Sequence, residues 1–145
     1  MKLYLDMCCL KRPFDDQSDA RIQLESLAVD TILQMCGAGQ HELVTSDALR
    51  FENSRNPNAQ RREFAEASLA LASQDQPHSV AVEQRAAVWQ NAGVGLLDAL
   101  HLASAEVASA EVFATCDDVL LKRAARVTAQ LRVVSVLDLF KELAS

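Results

Sequence analysis

Two short apolar runs of this chain each end on an aspartate: Lys2-Leu3-Tyr4-Leu5 leads into Asp6, and Val112-Phe113-Ala114-Thr115-Cys116 leads into Asp117. Short apolar runs closed by polar residues read as strands buried on both faces, and such strands belong to parallel sheets covered by helices. The carboxyl ends of parallel strands open onto the ligand crevice, so acids placed there converge. Two further acids, Glu52 and Asp98, lie on predicted helices that can face the same crevice. Four convergent carboxylates repel one another unless a cation lies between them, and a divalent metal meets that need.

The rest of the chain supplies the helices that a parallel sheet requires. A helix is predicted over residues 19–36, with Ile22, Leu24, Leu27, Ala28, Ile32 and Met35 repeating near the helical period and Gly37 as the stop. Leu43-Val44-Thr45 is the next strand, followed by Ser46 or Asp47 as N-cap of a short helix that stops near Asn56, because the residue before Pro57 is biased away from helical dihedrals. A helix over 58–73 leads to a loop over 74–78, and residues 79–82 read either as a very short strand or as the start of the helix over 83–91. Asn91-Ala92-Gly93-Val94-Gly95 breaks the chain before a nearly continuously apolar, hence buried, helix over 96–109. A strand over 111–115, a helix over 117–129, a strand over 132–135 and a closing helix over 136–143 complete the pattern. Alternating strands and helices predict an α/β fold with a mainly parallel central sheet and helices on both faces, in a single domain spanning 1–145.

Composition narrows the chemistry. The 145 residues carry 14 Lys and Arg against 20 Asp and Glu, a net charge of -6, so nucleic acid cannot be held by bulk electrostatics and any such role needs a local site. Arg50, Arg55, Arg61 and Arg62 near Glu52, and Lys122, Arg123 and Arg126 after Asp117, are candidate local clusters; the alternative is solvated helix faces. Cys8, Cys9, Cys36 and Cys116 form no CxxC pair and the histidines no HxxxH spacing, which argues against a structural zinc site and for buried thiols in a reducing compartment. The apolar start is too short for a signal peptide, and no uncharged stretch approaches the roughly 18 residues of a membrane span. A cytoplasmic setting without membrane contact is the expectation.

Each acid has a simpler reading beside the functional one. Asp6 can cap the following loop, Asp98 can complement a helix dipole from the first turn, and either Asp117 or Asp118 can cap the helix after the strand. Against this, Asp6 ends a central strand, and Asp98 is surrounded by residues that predict burial. Of the last pair, Asp117 is assigned to the site. His101, on the same helix face as Asp98, reads as a core histidine hydrogen-bonded to a neighbour. Arg12, in the loop after the first strand, either reaches a substrate phosphate or pairs with Asp15 or Asp16.

Leu3-Tyr4-Leu5-Asp6, Glu52, the segment Gly95-Leu96-Leu97-Asp98-Ala99-Leu100-His101-Leu102-Ala103 and the segment Phe113-Ala114-Thr115-Cys116-Asp117-Asp118-Val119-Leu120-Leu121 together resemble the PIN domain family, in the branch of VapC-type toxins. The resemblance runs in order along essentially the whole chain. It implies a three-layer α/β/α sandwich and Mg2+- or Mn2+-dependent hydrolysis of RNA phosphodiester bonds. On this likeness Asp6, Asp98 and Asp117 contact the metal, Glu52 orients or helps activate water, and Thr115 supports the site or touches phosphate. An antitoxin protein and a homodimer are further implications. One departure stands out: Met7 and Cys8 replace the hydroxyl or amide residues that the family often carries after its first aspartate.

Two other readings compete. A non-catalytic PIN-like module would keep the acids and bind RNA or protein. A phosphoryl-transfer or receiver-like module would use Asp6 or another acid as phosphoacceptor, but Cys8 stands where a second aspartate is wanted, and in place of a lysine at a late strand end the last strand offers Arg132 at its start.

Overall fold

The computed structural model describes residues 1–145 and places five parallel strands in one sheet. In chain order the elements are β1 (Lys2–Leu5), α1 (Met7–Lys11), a 3-10 turn (Arg12–Phe14), α2 (Ala20–Gly37), β2 (Glu42–Ser46), α3 (Asp47–Ser54) and α4 (Ala59–Leu69). Then follow β3 (Gln74–Gln76), α5 (Val80–Asn91), α6 (Leu96–Val107), β4 (Val112–Thr115), α7 (Asp118–Ala124), β5 (Arg132–Ser135) and α8 (Val136–Ala144). The sheet order is β3-β2-β1-β4-β5, with Leu3 opposite both Leu43 and Val112. Crossovers from β1 to β2 and from β4 to β5 run in opposite directions, which puts helices on both faces of the sheet. The expected three-layer α/β/α architecture is what the chain adopts.

Burial explains the central strands. Leu3, Tyr4, Leu5, Val112, Phe113 and Ala114 are fully buried, and the Tyr4 and Phe113 rings stack at 5.3 Å. Short polar side chains start the helices: Asp19, Ser46, Asn58, Ser79, Asp117 and Ser135 each accept an N-terminal amide proton. Ser79 thereby decides residues 79–82 in favour of a helix start. Gly93, at φ 96°, ends the α5 segment in a conformation that side chains with a Cβ rarely adopt.

Five local expectations give way to tertiary structure. Residues 74–76, expected as loop, form edge strand β3, because backbone pairing with Val44 to Ser46 makes a strand of polar Gln74-Asp75-Gln76 without an apolar face. The helices expected to reach residues 73 and 129 stop at Leu69 and Ala124. Met7–Lys11 forms a helical turn, capped by Asp6, where no element was anticipated. On α2, Leu24 and Leu27 are exposed while Glu25 is buried, so the face turned to the core is displaced from the expected stripe. No helix is long and apolar enough to cross a membrane.

Candidate active site

The sheet order reverses at β1: β2 and β3 lie on one side of it, β4 and β5 on the other. A crevice opens at such a switch point, outside the carboxyl ends of the strands. Asp6 follows β1 and Asp117 lies just beyond β4, so both acids are delivered to this crevice by the sheet itself.

Asp6 is 5% exposed and has no basic partner. Its Oδ1 accepts the Met7 amide proton at 2.8 Å, and its Oδ2 accepts the Thr115 hydroxyl at 2.8 Å and the Cys8 thiol at 3.3 Å. Thr115 in turn accepts the Asp117 amide proton at 3.1 Å, tying the ends of β1 and β4 together. With Met7 and Cys8 after Asp6 in place of hydroxyl or amide residues, the hydroxyl contact to its carboxylate comes from Thr115, with the Cys8 thiol beside it. Burial pushes the Asp6 carboxyl up to about 7, helped by Cys8 and opposed by the charge of His101 and the Thr115 hydrogen bond.

Asp98 sits in the first turn of α6, half-buried at the same mouth. Its carboxyl is pushed up to about 6 by burial and by the negative charges of Asp6, Asp117 and Glu52, with His101 opposing. Asp98 thus feels the charges of Asp6, Asp117 and Glu52, although it is not among the residues whose donor atoms meet within 4.8 Å. Asp117 spends Oδ1 on the amides of Val119 and Leu120, capping α7, while Asp118 turns away to a bidentate pair with Arg21 at 2.8 and 2.9 Å. Capping of α7 thus falls to Asp117, the residue expected in the site, while Asp118 is taken by an ion pair.

Glu52 reaches the cluster through His101. The imidazole is fully buried, with Nε2 2.7 Å from Glu52 Oε1 and Nδ1 2.7 Å from the Tyr4 hydroxyl, which lies 2.7 Å from Ser46 Oγ. An ionised Glu52 only accepts, so Nε2 donates to it, and the other ring nitrogen, Nδ1, meets the Tyr4 hydroxyl. Burial alone would raise the Glu52 carboxyl, but the His101 hydrogen bond and charge, with Lys11 at 3.6 Å from Oε2, outweigh it and hold the group low. Donor atoms of Asp6, Glu52 and His101 lie within 4.8 Å of one another. His101 is the buried, neighbour-bonded histidine expected, and it also aims a site carboxylate; its place one helical turn after Asp98 was the available signal.

Arg12 stands apart from this cluster. Its guanidinium donates to Asp15 at 3.0 Å and to buried Glu25 at 3.1 Å, the ion-pair alternative of the two readings. Other cations line the approach: a cavity of ≈ 360 Å³ beside Glu52 is walled by Lys11, Arg55 and Arg61 with Asn56, Pro57 and Leu97. Arg61 pairs with Asp15, whereas Arg55 lies over the Phe51 ring at 5.6 Å and makes no ion pair. A larger cavity of ≈ 620 Å³ lies at the amino ends of β4 and β5, among Glu106, Glu111 and Arg132, on the edge of the sheet opposite the acids.

A sequence profile of the PIN domain matches residues 3–127. Among solved structures the chain is similar to FitAcB from Neisseria gonorrhoeae, at 17% identity and a TM-score of 0.57, covering 92% of this chain and 97% of that one. It is also similar to VapBC2 from Rickettsia felis bound to a DNA fragment from their promoter, at 13% identity and a TM-score of 0.57, with the same coverage of 92% and 97%. No curated protein matches it by sequence.

Proposed function

The chain belongs to the PIN domain family, and from that premise we propose that it is a divalent-metal-dependent endoribonuclease acting as the toxin of a toxin–antitoxin pair. PIN domains are in general nucleases. The observation that carries the reading is a crevice where donor atoms of Asp6 and Glu52 lie within 4.8 Å of one another, Asp98 feels the charge of both, and no Lys or Arg is paired to Asp6 or Asp98. Carboxylate oxygens suit hard cations such as Mg2+ or Mn2+, and the mutual repulsion at Asp98 is what a cation would relieve. Asp6, Asp98 and Asp117 would hold it. The chemistry such an ion supplies when bound is water activation and neutralisation of charge on the phosphate and leaving oxygen.

The chain's own residues do the rest. Thr115 fixes the Asp6 carboxylate through one short hydrogen bond and orders the turn before α7. His101 holds Glu52 toward the acids, and since Glu52 is kept ionised, it orients an attacking water as an acceptor rather than taking up its proton. Lys11 and Arg55, at the cavity beside Glu52, would meet RNA phosphates in the role first offered to Arg12. An acidic mouth also suits a basic antitoxin segment lying across it. A homodimer completes the reading, with exposed Leu24 and Leu27 as apolar surface, in a cytoplasmic setting.

The test is cleavage of a mixed RNA pool by purified protein with Mg2+ or Mn2+, beside EDTA and the Asp98→Asn variant. Metal-dependent cleavage that disappears in the variant supports the reading. A folded, partner-free protein that neither cleaves RNA nor binds Mn2+ is instead a non-catalytic binding module, the alternative that the Cys8 thiol against Asp6 favours.

A further inference from the structure

A second cluster of donors adjoins the acids, and it is made of sulfur. Cys8 and Cys9 lie on α1, and Cys116 follows β4; the pairing of β1 with β4 brings the two segments together. The three Sγ atoms all lie within 4.8 Å of one another, with Cys116 and Cys9 at 3.8 Å, and all are free thiols. Sulfurs bound to one zinc-like ion at about 2.3 Å stand roughly 3.8–4.0 Å apart, so little movement converts this cluster into a ligand set.

Lone buried cysteines usually serve as small hydrophobes. This group differs in being threefold, converging and polar-lined. Cys9 and Cys116 are buried, while Cys8 is only partly covered and forms the mouth. Cys8 Sγ accepts the Cys116 amide proton at 3.2 Å, donates to Asp6 Oδ2 at 3.3 Å and lies 3.3 Å from Thr115 Oγ1, so polar groups surround the sulfur. Soft thiolates select ions that a carboxylate cluster does not.

We propose that Cys8, Cys9 and Cys116 form a binding site for one thiophilic divalent cation of the Zn2+ or Cd2+ class, adjoining the hard-metal position at the acids and made of different principal ligands. Binding releases the thiol protons to solvent as three thiolate–metal bonds form, and no oxidant or reductant takes part. Asp6 Oδ2, on the rim, is an oxygen donor within reach of the same ion.

The experiment titrates Cd2+ into the full-length, fully reduced protein, after a thiol assay confirms all 4 cysteines free, and follows the ultraviolet thiolate-to-cadmium charge-transfer band. The band is expected to saturate at one cadmium per chain and to be unchanged by Cys36→Ala. Cys8→Ser, at the partly exposed position, should weaken cadmium binding by at least about tenfold, since losing even a residue that only orients a ligand costs about 10–100-fold. Cys116→Ser should do the same, with circular dichroism confirming that each variant is folded. No band from the folded, reduced protein, or a band indifferent to Cys8→Ser, overturns the proposal. Asp98→Asn should keep the band while losing RNA cleavage, so failure of the ribonuclease reading leaves this site independently tested.

Discussion

Asp6 and Glu25 are both buried carboxylates, 5% and 1% exposed, and the chain treats them in opposite ways. Glu25 on α2 is matched by arginines: Arg12 Nε lies at 3.1 Å and Arg21 Nε at 3.5 Å, each guanidinium being further held by Asp15 or Asp118. Asp6 receives only an amide, a hydroxyl and a thiol. A buried charge without a counter-ion is costly, so neutral donors alone leave Asp6 poised between protonation and capture of an external cation. The chain neutralises the acid that joins α2 to the 3-10 turn, and leaves uncompensated the acid at the switch point of the sheet. Burial alone therefore does not mark a functional acid; the identity of its partners does.

The strongest way to break this contrast is to remove one uncompensated acid. Asp98→Asn should lower metal-dependent RNA cleavage by at least about 10³-fold, the equivalent of several kcal/mol of lost metal-supplied stabilisation, with the fold intact. Retained cleavage would end the assignment.

Next in size is a pH effect confined to the uncompensated side. Asp6 moves from 3.8 to about 7 and Asp98 from 3.8 to about 6 on folding. Between those values the native state holds protons that the unfolded chain has released, so metal-free stability falls as pH rises from about 4 to 7. For Asp6 the loss is roughly 2–4 kcal/mol. Urea denaturation across this range should show it, and Mn2+ should raise Tm more at pH 8 than at pH 5. Equal Mn2+ effects at the two pH values would contradict the picture.

On the compensated side, Glu25→Gln should cost roughly 2–3 kcal/mol in urea denaturation, below the full cost of breaking a buried pair because the Arg12 and Arg21 side chains keep 22% and 49% of their exposure. Cleavage per folded molecule should be unchanged. A loss of activity without a loss of stability would erase the distinction between the two acids.

Smaller effects sharpen the edges of the site. Tyr4→Phe leaves His101 Nδ1 without its hydrogen-bond partner and loosens the support of Glu52, so kcat should fall about tenfold with little change in KM, alongside roughly 1 kcal/mol of stability. Arg55→Ala should raise KM for RNA by roughly two- to fivefold at low salt, an effect that fades as salt rises.

The places of Asp6 and Asp117 at strand ends and of Asp98 at a helix start were legible because these are local features, and the shared end of β1 and β4 follows from parallel topology. Glu52 was unremarkable alone, since its meaning comes from a hydrogen bond to a residue 49 positions away. Gln74-Asp75-Gln76 was illegible as a strand because its only reason to be one is the neighbouring backbone of β2. Leu24 and Leu27 fit a helical period yet face outward, because the inner face of α2 is the one that carries Ala28, Val29, Ile32, Leu33 and Cys36, and Glu25 on that face is answered by Arg12 and Arg21.

By itself, then, the order of apolar runs, caps and acids determined an α/β chain with a carboxylate crevice, because periodicity and capping act over a few residues. Only the tertiary structure decided which charges are answered. Counter-ions for Glu25, the Tyr4–His101 support of Glu52 and the meeting of Cys8 and Cys9 with Cys116 all join residues far apart in sequence, and electrostatics depends on distance in space.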